Sequence, residues 1–155
     1  MKIISNTLKQ LNDLYPTLSY EKKTFENYSA IDFISQDKND YYFSIEYTNK
    51  ILLSISATLI NIEHNYFWYQ PYDEFDIDKE EEILEEALVK DLKVLLFNDT
   101  RIVYKSGLLF NSLKLEYNNN EKWHYFYGLS YNRFGFKGPK LNKRVNVFQS
   151  KAFVP

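Results

Sequence analysis

The chain has 155 residues, 19 basic and 21 acidic side chains for a net charge of −2, and is rich in Tyr and Phe but poor in Gly. That length suits a single domain over 1–155, with a core large enough to need no staple. The absence of cysteine excludes disulfides and thiolate metal sites.

The opening Met1-Lys2-Ile3-Ile4-Ser5-Asn6 holds too short an apolar run for a secretory signal. No segment approaches the roughly 20 apolar residues of a membrane span, so a cytoplasmic location is expected. Asn, Lys, Ile and Tyr share codons rich in A and T, so the run Asn118-Asn119-Asn120 reads as a turn and not as a ligand.

Ile4, Leu8, Leu11 and Tyr15 recur at helical spacing, with Ser5 near the N-cap and Pro16 ending the pattern, which predicts a short amphipathic helix over 4–15. The period then becomes two. Ile31 and Phe33 suggest one strand, Tyr41, Phe43, Ile45 and Tyr47 a second, and Ile51, Leu53, Ile55, Ala57 and Leu59 a third, with Asn49-Lys50 as a tight hairpin. Gln36 to Asp40 reads as a polar loop.

A long helix is expected over about 79–96. Ile83, Leu84, Ala87, Leu88, Leu92, Leu95 and Leu96 supply its apolar stripe, and Asp78 followed by Glu81 resembles a capping box. Three strands follow: Thr100 to Lys105; Leu109, Leu113, Leu115 and Tyr117 on one face; and Trp123, Tyr125, Tyr127, Leu129 and Tyr131 on one face. Ser106-Gly107 and the asparagine run are their turns. Gly135, Gly138 and Pro139 form a loop before a last strand at Val145 to Phe148. Strands joined by short loops pair antiparallel. The expected class is therefore α+β, a mostly antiparallel sheet of about six to eight strands with a short N-terminal helix and one long central helix packed on a sheet face.

Signals for chemistry are sparse. His64 lies in a polar connection, and His124 is out of phase with Trp123 and Tyr125, on the face shared with Phe126; neither has a carboxylate partner legible in the sequence. No zinc-type spacing and no glycine-rich turn feeding a helix occurs, so no catalytic residue, metal or cofactor is expected.

Charge is strongly sorted along the chain. Residues 73–91 hold ten acids against Lys79 and Lys90, whereas residues 122–155 hold seven cations and no acid. These acids can be the solvated face of a helix, neutralised by the basic tail. Alternatively, the preceding Tyr66-Phe67-Trp68-Tyr69-Gln70-Pro71-Tyr72 cannot face wholly inward, and aromatic anchors bordered by acid suit a docking surface for a basic protein. The candidate partner-binding residues are Trp68, Tyr69, Tyr72, Asp73, Glu74, Asp76, Asp78, Glu81, Glu82 and Glu85.

In size, composition and the aromatic-acidic segment from Tyr66 to Glu86, the chain resembles bacterial immunity proteins of polymorphic or contact-dependent toxin systems. The resemblance implies a cytosolic protein that neutralises a cognate toxin, such as a basic nuclease, without chemistry of its own. Two other readings are a nucleic-acid-binding protein and a small enzyme using His64 or His124. The first of these would stack bases on Trp123, Tyr125 and Tyr131 beside Arg133, Lys137, Lys140, Lys143 and Arg144.

Overall fold

The computed structural model describes residues 2–34, 39–48, 52–60, 66–69, 80–107, 110–132 and 145–153. The predicted loops and turns at Asn49-Lys50, Gly135, Gly138 and Pro139 lie outside them, as does most of Gln36 to Asp40. Helix α1 spans Lys2–Leu14 and strands β1 to β5 follow as Tyr20–Thr24, Ser29–Phe33, Tyr41–Tyr47, Leu52–Leu59 and Tyr66–Tyr69. Helix α2 spans Glu81–Phe97, and β6 to β9 are Thr100–Ser106, Phe110–Asn119, Lys122–Asn132 and Val145–Ser150. The α+β class read from the sequence is the observed one. No helix among the described residues is long and apolar enough to cross a membrane.

The strands form two antiparallel sheets, β1-β2-β3-β4-β5 and β8-β7-β6-β9. In the first, Ile31 pairs with Ile45 and Ile45 with Ile55, while Phe33 pairs with Phe43 and Phe43 with Ala57. Alternation along each strand gathers these side chains on one buried face. Strand β1 was not legible: Tyr20-Glu21-Lys22-Lys23-Thr24 is exposed at every position and so carries no apolar alternation. It is held by backbone pairing to β2 at the sheet edge, where lysines discourage further strand addition.

The two sheets meet at the start of β3 and the end of β9. The Asp40 N–H donates to the Gln149 carbonyl at 3.0 Å, the Gln149 N–H to Asp40 Oδ2 at 2.7 Å and the Lys151 N–H to Asn39 Oδ1 at 2.9 Å. Just inside, the buried Tyr41 hydroxyl donates to Thr100 Oγ1 at 2.7 Å, and burial pushes its pKa far above the ordinary tyrosine range. One apolar cluster draws on both sheets and both helices, from Ile3 and Leu11 through Phe33, Phe43 and Leu88 to Ile102 and Leu115.

Helix α1 buries Ile3, Ile4, Thr7 and Leu11, one face at helical spacing. It starts earlier than the pattern predicted, which places Ser5 inside the helix and not at its cap. The α2 boundary also differs from expectation: Glu80 is the N-cap residue and makes no side-chain capping bond, while Asp78 lies outside the described residues. Leu84, Leu88, Val89, Leu92, Leu95 and Leu96 are buried, but Ile83 is 57% exposed and so does not belong to the stripe. At 100° per residue, Ile83 sits on the far side of the helix edge that Leu84 and Leu88 define. The helix ends where Asn98 turns extended; its Nδ2 donates back to the Val94 carbonyl at 2.9 Å and the Phe153 N–H to the Leu96 carbonyl at 2.7 Å.

The predicted single face of β8 is overturned by a bulge. Leu115 pairs with Tyr127 but its neighbour Glu116 pairs with Tyr125, so Phe126 is an extra residue and the side-chain phase reverses across it. Tyr127 and Leu129 lie across from Leu115 and Leu113 on the core side, whereas Trp123 and Tyr125 lie across from Asn118 and Glu116 on the opposite side. His124 takes the core-side position beside Tyr117. The asparagine run does turn the chain: Asn120 and Glu121 have φ of 52° and 64°, the two left-handed residues that a tight hairpin of right-handed twist requires.

Candidate interaction surfaces

Helices α1 and α2 run side by side in the same direction. At their first turns Lys2 Nζ lies 3.6 Å from Glu81 Oε2. In the middle, Asn6 Nδ2 and Gln10 Nε2 donate to the two Glu85 oxygens at 2.8 and 2.6 Å. At the far end the Tyr15 and Phe97 rings stack with centroids 3.6 Å apart. Glu85 is thus held by α1 and its carboxylate serves helix pairing. Glu82 and Glu86, one turn apart, are exposed to solvent instead, and like charges at that spacing repel without a third party. Glu86 was outside the predicted site because its helical phase relative to Glu85 is not readable without knowing where α1 packs.

Of the other predicted residues, Trp68 and Tyr69 belong to β5, where the register pairs them with Ser56 and Ile55. Tyr72, Asp73, Glu74, Asp76 and Asp78 lie outside the described residues. The described part of the basic tail meets α2 at its C-terminal end, where the Phe153 N–H reaches the Leu96 carbonyl, and not at its acidic start: β9 lies along β6, and Lys151 Nζ bonds Asp99 Oδ2 at 2.7 Å. Burial disfavours the charged form of Asp99, but the bonds from Lys151 and the Ala152 N–H outweigh it and hold the carboxyl below its ordinary range.

A second surface emerges from the β8 bulge. On the side of the second sheet away from the core, Arg101 Cζ sits 4.2 Å from the Trp123 ring centroid, and Arg101 Nε donates to Glu116 Oε2 at 2.7 Å. Tyr125 is 63% exposed beside them. It lies across Gly128, where a Cβ would come within 3.1 Å of the Tyr125 ring and 2.9 Å of the Leu113 carbonyl oxygen. Lys105 and Lys114 share this side, with Phe110, Val145 and Val147 exposed around them. The β6 signal was present in the sequence, since Arg101, Val103 and Lys105 alternate with Thr100, Ile102 and Tyr104; the phase change in β8 was not.

The first sheet carries a polar row on the side away from its apolar face. Asp32 accepts from Lys23 Nζ and Ser44 Oγ, both at 2.6 Å, and Ser56 Oγ approaches Glu46 Oε1 at 3.5 Å. Asp32, Ser44, Ser54 and Ser56 are buried. The bond to Asp32 raises the Lys23 pKa above its ordinary value, so the ammonium persists through the physiological range.

His124 is exposed and stacks on Tyr117, with ring centroids 5.4 Å apart; His64 lies outside the described residues. Among the described residues, His, Cys, Asp and Glu form no group able to hold a metal ion. Comparison with protein-family models, with curated proteins and with solved structures finds no match.

Proposed function

We propose that this chain is a protein-binding module that docks a basic partner, in the manner of an immunity protein neutralising a cognate toxin, through the acidic start of α2 and the aromatic segment leading into it. The observation that carries this reading is the pair Glu82 and Glu86, exposed at the helix end toward which ten acids between residues 73 and 91 are concentrated. The described part of the basic tail pairs elsewhere, with β6 and Asp99, and not with these two carboxylates. Such a field speeds encounter with a cationic surface, and adjacent rings supply the area that holds it. The experiment is a titration of the product of the adjoining gene with the wild type and with Glu82→Gln/Glu86→Gln at rising salt. Affinity should fall roughly threefold to tenfold in the double variant, mainly through slower association, and the difference should shrink as salt screens it. Equal affinity at all salt concentrations would remove the proposal.

A second reading, nucleic-acid binding, is favoured by the bulge. It sets Trp123 and the exposed Tyr125 on one side with Arg101, Lys105 and Lys114, which is the aromatic and cationic composition that stacks and neutralises single strands. Filter binding of single-stranded oligonucleotides at low salt, with Tyr125→Ala and Lys114→Gln as variants, tests it; a flat curve for the wild type eliminates it.

A further inference from the structure

We propose that the end of the first sheet binds a small uncharged molecule in which a carbonyl oxygen is attached to an apolar body. A cavity of about 330 Å³ opens there, at the lower end of the range that drug-sized ligands occupy. Its polar floor comes from three neighbouring strands: Lys23 of β1, Asp32 of β2 and Tyr42 of β3. Ile34 and Ile60, each 41% exposed although aliphatic, form its walls. Asn39 closes it beside the junction of the two sheets.

The hydrogen-bonding balance of the cavity selects the ligand. Asn39 Oδ1 already accepts the Lys151 N–H, but Asn39 Nδ2 is buried with no partner among the described residues. A buried donor left unmet is costly, and an acceptor placed in the cavity relieves it. Lys23 donates one ammonium N–H to Asp32 in a hydrogen bond and, being half exposed, keeps other N–H groups to offer. Asp32 has one oxygen occupied by Lys23 and the other by Ser44. The unmet Asn39 donor and the remaining Lys23 N–H groups therefore call for an acceptor such as a carbonyl. Among the described lining residues, the charges of Lys23 and Asp32 cancel. An anion would meet Asp32 and a cation Lys23, so a neutral group fits best.

Benzamide is a suitable probe, with benzoate and benzylamine as its charged counterparts, followed by amide chemical-shift mapping on the full chain. Benzamide should give saturable shifts centred on Lys23, Asp32, Asn39 and Tyr42, and the charged probes should bind at least about tenfold more weakly. Asn39→Asp keeps the oxygen that accepts the Lys151 N–H while replacing the free donor with an acceptor, and should weaken benzamide about tenfold. Ile34→Trp, at an exposed position, should fill the cavity and abolish the shifts while leaving the fold intact, which serves if Asn39→Asp proves unstable. Shifts that do not saturate, that centre elsewhere, that persist in Ile34→Trp, or that are matched by either charged probe would overturn the assignment.

Discussion

At the scale of single residues, the structure turns on polar groups whose partners come from distant parts of the chain. Asp99 shows the consequence for pH. Its folded pKa is lowered from an ordinary value of 3.8, so its contribution to stability is present above that value and is lost as pH falls through the lower, folded one. Asp99→Asn keeps an oxygen for the Ala152 N–H but loses the charge that pairs with Lys151. In urea unfolding the variant should be about 0.5 kcal/mol less stable at neutral pH, since Lys151 is largely exposed, and the gap should close as pH falls through the lowered, folded pKa. A gap that stays constant with pH would mean that the ion pair is not its source. None of this was readable from the sequence, which gave Asp99 and Lys151 no common pattern. The same holds for Glu85, whose role is decided by Asn6 and Gln10 some 75 to 79 positions away.

At the scale of elements, periodicity was legible wherever a segment has one wet and one dry face. The stripe of α2 was largely recovered, and its one misplaced member gives a test of the packing. Leu84 is fully buried and Ile83 is 57% exposed, although the two are adjacent and similar in size. Leu84→Ala should cost about 2–5 kcal/mol through lost burial and an unfilled cavity, and Ile83→Ala less than about 0.5 kcal/mol, both read by chemical denaturation. Comparable losses at the two positions would place the helix in a different rotation. Two strands resisted reading for different reasons. Strand β1 is exposed throughout and contributes through its backbone, so no side-chain pattern marks it. Strand β8 alternates faithfully in sequence, but the extra residue at Phe126 reverses its phase, and a bulge is set by the partner strand's register. That single residue decides whether Trp123 and Tyr125 belong to the core or to the surface.

At the scale of the whole molecule, two antiparallel sheets joined at Asp40 and Gln149 and closed by two parallel-running helices leave opposite charges on different parts of the surface. The composition and charge sorting announced those poles, but only the fold places them. Exposed acids gather where α1 and α2 begin, while Arg101, Lys105 and Lys114 occupy the outer side of the second sheet. The described start of α2 and the outer side of the second sheet belong to different elements, and a footprint distinguishes docking at one from docking at the other. Amide hydrogen exchange should be compared between the free chain and its complex with the adjoining gene's product. Protection confined to residues 66–90 and the first turns of α1 is the expected result. Protection of β8 and β9 instead, with the start of α2 unchanged, would contradict docking through the acidic end.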